Sequence, residues 1–273
     1  METAAETARS FVEAIGAAGD RGDGSGLDGV RVSVVIPARN EAANLPTVLA
    51  SLPDDIFEVV LVDGGSTDGT AEVAQQCRAD VRVFEQEGSG KGDALLQGFA
   101  AARGNIIVMF DGDGSAKGDE IPRFVQALKD GADLAKGSRF MDGGGSADIT
   151  FTRRLGNRFF RTTVNTLYGT KYTDLCYGYN AMWTRSLRRL SLECDGFEFE
   201  ALLNIRAARA GLDVREVPSY EDLRLHGTSN LNVIRDGLRI LWVIVRERFS
   251  ASEAAWQRVP AEETTPAPSV TKV

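Results

Sequence analysis

The stretch Ile106-Ile107-Val108-Met109-Phe110-Asp111-Gly112-Asp113-Gly114 reads as one strand running into an acidic loop, and the first half of the chain repeats that plan. Asp111 and Asp113 stand two apart, so an extended backbone turns both carboxylates to one side. Such a pair invites a divalent cation. Mg²⁺ and Mn²⁺ take oxygen ligands and leave positions open for substrate phosphates. Asp-Gly-Asp-Gly is equally good turn chemistry, so the neighbouring loops have to decide between the two.

On either side of this stretch, short β-branched runs alternate with helical patterns. Val32–Ile36 precedes a helix over 40–52, Val59–Val62 one over 68–77, and Val81–Phe84 one over 91–102. The strand before Asp111 leads to a helix over 119–129 and a strand over 133–136. This order predicts an α/β fold, a mostly parallel twisted sheet flanked by helices on both faces. Ligands of such sheets gather at the carboxyl ends of the strands. The second half is more helical, with amphipathic patterns over 151–168, 197–210 and 230–249. In the last of these, Leu231, Ile234, Leu238, Leu241, Trp242 and Val245 recur at near-helical spacing. Core packing is the expected fate of that stripe, ahead of membrane contact.

The 273 residues are 43% hydrophobic and 26% charged, enough for one large domain, expected over 30–250. Residues 3–18 read as a short helix and 19–29 as a Gly/Asp-rich linker, making an N-terminal segment of 1–29. Residues 251–273, rich in Pro, Thr and Glu from Pro260 onward, read as a disordered tail. With 39 acidic against 31 basic residues and a net charge of −8, no nucleic-acid partner is expected. Cys77, Cys176 and Cys194 have neither an even count nor a Cys-x-x-Cys spacing, which suits a reducing cytoplasm better than a disulfide framework. The N-terminus has no secretory pattern, and the apolar run Ile240–Val245 is far short of the roughly 20 residues of a membrane span. A cytoplasmic protein is expected, with at most peripheral contact at the inner face of the membrane.

Four loops follow strands, each with a composition suited to nucleotide or phosphate. Pro37-Ala38-Arg39-Asn40-Glu41 ends a strand and opens a helix whose amino end favours negative charge, or is a simple cap. In Asp63-Gly64-Gly65-Ser66-Thr67-Asp68-Gly69-Thr70, glycines admit a close ligand and Asp63 accepts hydrogen bonds, while Asp68 equally suits a helix cap. Glu87-Gly88-Ser89-Gly90-Lys91-Gly92-Asp93 is not a Walker loop: Glu85 stands where its first glycine belongs, and Gly92 where Ser or Thr would hold magnesium. Gly64, Gly65 and Gly69 likewise miss the Rossmann spacing. What remains is Lys91 after a glycine-rich turn, a point charge for a pyrophosphate or a solvated lysine. The fourth loop is the Asp111, Asp113 pair.

In this order the loops resemble those of the family-two glycosyltransferases of the glycosyltransferase A fold. Among those, the polyprenyl-phosphate and dolichol-phosphate mannose and glucose synthases are the most similar. The matching stretches are VVIPARNEAANL, VLVDGGSTDGT, GKGDALLQGFAAARGNIIVMFDGDGS, KGSRF, TDLCYGYNAMW, GFEFEALLNIRAARAGLDVREVP and RLHGTSNL, spanning roughly residues 31–235. The resemblance implies an inverting, metal-dependent enzyme that moves mannose or glucose from a nucleotide sugar of the GDP-mannose or UDP-glucose type to a polyprenyl phosphate. It implies Pro37, Ala38, Asn40, Glu41, Asp63 and Asp68 around the base and ribose, and Lys91 near the diphosphate. Asp111 and Asp113 resemble the DxD pair that holds Mg²⁺ or Mn²⁺ on the two donor phosphates. Relatives often carry a further Gln ligand two positions on, where this chain has Ser115.

Arg139, Arg153 and Arg154 match positions where relatives grip an acceptor phosphate, a task suited to arginine's planar fork. A structural ion pair is the competing role for Arg139, and a solvated helix face for Arg153 and Arg154. A lipid-phosphate acceptor is already ionised and needs alignment more than a base. A hydroxyl acceptor, the alternative for a family-two enzyme acting on a small molecule or polysaccharide precursor, needs a carboxylate to take its proton. Asp174 is the first candidate for that role or for acceptor placement and Glu200 the second, although both suit loop-to-helix ties as well. His226, the single histidine, reads as loop-ordering more than catalytic. A sugar-nucleotide pyrophosphorylase would need an arginine-bearing glycine-rich loop after the first strand, which Pro37-Ala38-Arg39-Asn40 is not. A non-enzymatic nucleotide-sugar-binding subunit is the remaining reading.

Overall fold

The computed structural model describes residues 27–228 and 231–250. Nine strands occur among them: β1 (Val32–Ala38), β2 (Glu58–Asp63), β3 (Arg82–Glu85), β4 (Ile106–Met109), β5 (Leu134–Ser138), β6 (Gly145–Ser146), β7 (Asn180–Trp183), β8 (Val214–Pro218) and β9 (Tyr220–Glu221). Seven form one sheet in the order β3-β2-β1-β4-β7-β5-β8, while β6 and β9 pair separately. All neighbours in the main sheet are parallel except β7, which runs antiparallel to both β4 and β5. The helices are α1 (Leu45–Ser51), α2 (Thr70–Cys77), α3 (Lys91–Ala101), α4 (Ile121–Lys129), α5 (Phe151–Tyr168), α6 (Thr184–Leu187), α7 (Phe199–Arg209) and α8 (Val233–Phe249).

Alternate strand residues divide between two cores, as a period of two requires when both faces are covered. Val34, Ile36, Val59, Leu61, Ile106 and Val108 join Leu45 and Leu49 of α1 and Phe124 and Val125 of α4. Val35, Val60, Val62, Ile107 and Met109 join Leu95 and Phe99 of α3 and Leu202 and Leu203 of α7. The α3 helix lies so close to the sheet that a Cβ on Gly98 would stand 2.3 Å from Cγ1 of Val35. Gly98→Ala is therefore expected to destabilise the protein by about 1–3 kcal/mol through overpacking, read from the midpoint of urea unfolding. An unchanged midpoint would mean that α3 can lift off the sheet without loss.

Several expectations are corrected. The helix placed over 40–52 begins only at Leu45, because Asn44 and Leu45 donate their backbone N–H groups to the Glu41 carbonyl in a preceding turn. Of the linker expected over 19–29, only Leu27–Gly29 lies within the described residues, and it is a 3-10 turn with Leu27 buried in the core. The helix over 3–18 and the tail over 251–273 lie outside the described residues. The antiparallel β7 went unpredicted because its four residues, Asn180-Ala181-Met182-Trp183, carry no β-branched run. The stripe assigned to the core is also misplaced. On α8 the buried face is Ile240, Val243 and Ile244, whereas Ile234, Leu238, Trp242 and Val245 are exposed. That helix has apolar residues on two sides and only one of them meets α5 and α7.

Candidate active site

The parallel pairing brings Ala38 of β1, Asp63 of β2 and the end of β4 to one edge of the sheet, in the registers Ala38 to Asp63 and Val35 to Met109. A cavity of about 950 Å³ opens there, lined by Pro37, Ala38, Glu41, Lys91, Asp111, Asp113, Arg139, Arg153, Glu200 and Arg224 among others. Asp111 and Asp113 share it because β4 delivers the Asp111-Gly112-Asp113 turn directly from its carboxyl end. One Asp113 oxygen, Oδ1, accepts the Ser115 backbone N–H at 3.0 Å and its hydroxyl at 2.7 Å. Ser115 thus orients Asp113 in this structure.

The cations stand between carboxylates. Nζ of Lys91 lies 2.8 Å from Oδ1 of Asp111 and 3.0 Å from Oε1 of Glu200. Burial works against the charged ammonium, but those two carboxylates outweigh it and hold the Lys91 pKa above its ordinary value. This trio closes over Gly178, where a Cβ would meet Nζ of Lys91 at 2.8 Å and Oδ2 of Asp111 at 3.0 Å. On the other side Arg224 bridges Oδ2 of Asp113, at 3.2 Å, and Oε1 of Glu41. Burial raises the Glu41 pKa, and hydrogen bonds from Asn44 and Arg224 only partly oppose it. Backbone bonds from Leu225 to the Asp113 carbonyl and from Asp222 to the Ser115 carbonyl strap the Arg224 loop onto the acidic turn. His226 is exposed, and its carbonyl, accepting from Arg224 and Asn44, is what orders this loop.

Other expected site residues have different roles in this structure. Asn40, Asp63 and Asp68 do not line the cavity; they knit the first two loops together. Asn40, at φ 58°, donates its N–H to the Ser66 hydroxyl and accepts from the Thr67 N–H. Asp63 holds Ser66 by its N–H and hydroxyl, and Asp68 accepts from the Ala42 and Thr70 N–H groups, the helix-start role weighed for it. Arg139 is not free to grip a phosphate: its fork clasps both oxygens of Asp174, at 2.7 and 3.1 Å, and reaches Glu221 at 3.0 Å. Asp174 is fully buried and off the cavity. Burial alone would raise its pKa, but Arg139 and Lys136 hold it below the usual carboxylate range, which is the wrong direction for a base. Arg153 does reach the cavity, paired with Asp148 at 2.7 Å, whereas Arg154 is exposed and lies over the Phe140 ring.

Sequence reasoning left two partners unassigned. Glu200, ranked second as a base, is a buried partner of Lys91. Arg224 carries no local mark of its own beyond its place in RLHGTSNL, one of the stretches that resemble the family.

The family model described as Glycosyl transferase family 2 matches residues 33–191. Glycosyltransferase AglJ of Haloferax volcanii is 34% identical over 209 residues, covering 76% of this chain and 68% of that protein. The chain belongs to glycosyl transferase family 2. It is a glycosyltransferase that draws on a nucleotide-sugar donor. The undecaprenyl-phosphate mannosyltransferase of Micrococcus luteus is 32% identical over 242 residues, covering 81% of this chain and 99% of that protein. Among solved structures, glucosyl-3-phosphoglycerate synthase from Mycobacterium tuberculosis, in complex with Mn²⁺, uridine diphosphate and phosphoglyceric acid, superposes with a TM-score of 0.66 at 23% identity. That match covers 91% of this chain and 84% of the other, and the shared architecture is the glycosyltransferase A fold.

Proposed function

We propose that this glycosyltransferase moves a hexose, mannose or glucose, with inversion onto a polyprenyl phosphate. One observation carries the acceptor class. Every carboxylate lining the cavity among the described residues has a cationic partner: Glu41 and Asp113 pair with Arg224, Asp111 and Glu200 with Lys91, Asp148 with Arg153, and Glu221 with Arg139. A hydroxyl acceptor would need one of them as a proton acceptor. A phosphate monoester arrives ionised and needs only alignment behind the anomeric carbon. The name of the Micrococcus luteus relative, an undecaprenyl-phosphate mannosyltransferase, supports the same acceptor.

Asp111 and Asp113 suit Mg²⁺ or Mn²⁺, because both carboxylates reach the cavity and such ions bind through one or two carboxylates plus substrate phosphates. When bound, the ion would offset the charge of the departing nucleoside diphosphate. Lys91 and Arg224 hold these carboxylates in the absence of donor and are placed to meet its phosphates as further cations. Ser115 fixes the Asp113 rotamer, and Gly178 leaves room for the Lys91, Asp111 and Glu200 trio. Of the three arginines that the resemblance places at an acceptor phosphate, Arg153 is the one that lines the cavity without being buried, held there by Asp148.

Purified protein incubated with Mn²⁺, polyprenyl phosphate and radiolabelled GDP-mannose or UDP-glucose is expected to yield organic-extractable label with one donor. Label confined to the aqueous phase with every donor would overturn the lipid acceptor.

A further inference from the structure

We propose that α5 and α8 form a face that docks on an anionic lipid bilayer. This deepens the acceptor reading and is tested without the acceptor, so that either can fail alone. Among the described residues, every large apolar side chain left exposed lies beyond residue 150, and most are on these two helices. On α5, Phe151, Leu155 and Phe159 recur every four residues; Phe151 is 81% exposed. On α8, Ile234, Leu238, Trp242, Val245 and Phe249 are exposed, Ile234 at 77% and Trp242 at 60%. Wound at about 100° per residue, these five fall within an arc of about 80°. The buried Ile240, Val243 and Ile244 occupy a separate face. The helices pack on each other, with Phe160 against Gly237 and the Tyr168 hydroxyl donating to the Ile244 carbonyl. Leu223, Leu231, Arg153 and Arg235 line the cavity, so this face adjoins its mouth.

Charge selects the occupant. In a chain of net charge −8, α5 and α8 carry eight arginines against two carboxylates, Asp236 and Glu247. Both carboxylates are buried, and both are ion-paired. Arg154, Arg158, Arg235, Arg239 and Arg248 are exposed alongside the apolar side chains. An apolar stripe edged with cations is the composition of an interfacial helix on anionic lipid. A second copy of this chain fits less well, because a two-fold contact would set the arginines of one copy against those of the other. No helix among the described residues is long and apolar enough to cross a membrane, so insertion would be shallow.

The test is cosedimentation of the full chain with vesicles of phosphatidylcholine, with and without phosphatidylglycerol, lacking any polyprenyl phosphate. Binding to the anionic vesicles is expected to be about tenfold or more tighter than to the neutral ones and to weaken with salt. Leu238→Glu with Trp242→Glu is expected to lower it about tenfold or more. Arg158→Glu with Arg248→Glu, which leaves every apolar side chain in place, is expected to abolish the preference for phosphatidylglycerol. Both variants should keep the wild-type circular dichroism and donor-induced thermal shift. A wild-type chain that stays in the supernatant with both vesicle types would overturn the proposal. So would a dimer that binds no vesicles and is lost in the Leu238, Trp242 variant.

Discussion

Asp113→Asn is expected to lower kcat/KM by about a hundredfold to a thousandfold, with little change in thermal midpoint. The substitution keeps the shape of the side chain and an oxygen to accept from the Ser115 N–H and hydroxyl, so the turn after β4 should stand. What is lost is one negative charge on the cavity wall. Arg224 keeps Glu41 as a partner. Glu41, whose pKa is raised by burial first and in smaller part by the charge of Asp113, is relieved of that repulsion. The folded state therefore loses little. The reaction loses one of two carboxylates suited to the metal, and charge stabilisation of a leaving group is worth several kcal/mol in a site of this kind. Steady-state transfer with Mn²⁺ and the preferred donor measures the first effect, and thermal melting without ligand the second. Activity within tenfold of wild type would remove Asp113 from the metal role and leave the Asp-Gly-Asp-Gly segment as a turn.

The parts of the site legible in the sequence were those that depend on local order along the chain. Val34, Val35 and Ile36, or Ile106, Ile107 and Val108, announce strands buried on both faces, and a loop after such a strand lies at the carboxyl edge whatever its partners are. Pro37, Glu41, Lys91, Asp111 and Asp113 all line one cavity. Pairings between distant residues were not legible. Arg139 and Asp174 are 35 positions apart and Arg139 and Glu221 are 82 apart, and nothing local marks either carboxylate as the other end of an ion pair. Asp174 could be ranked as a base only because its burial was invisible. The α8 stripe failed for a related reason. Helical periodicity reports that apolar residues share a side, but a helix with two apolar sides gives no sign of which one its neighbours cover. The antiparallel β7 shows a different limit, since four residues with Asn at one end carry too little pattern to be read as a strand.

Arg139→Leu is expected to destabilise the protein by about 3–5 kcal/mol, because it strands two buried carboxylates rather than removing a phosphate ligand. The guanidinium is 3% exposed and holds Asp174 and Glu221, themselves 0% and 8% exposed. Ser146 and the more distant Arg153, at 3.8 Å, remain to Glu221. Asp174 keeps the backbone N–H groups of position 139 and Cys176 and the charge of the buried Lys136, whose own pKa is lowered by burial against the pull of Asp174 and Glu216. The pH dependence should change in a definite direction. In the wild-type protein burial pushes the Asp174 pKa up, but Arg139 and then Lys136 pull it below its unfolded value of 3.8. The stability this contributes is present above that value and is lost as pH falls through the lower folded one. Without Arg139, burial dominates and the Asp174 pKa moves up, so the variant should gain relative stability on mild acidification where the wild type holds level. Urea midpoints of both proteins between neutral pH and about pH 4 measure the loss and its slope together. If Arg139 instead served the acceptor phosphate as the resemblance implies, the variant would unfold at the wild-type midpoint and show only a raised acceptor KM.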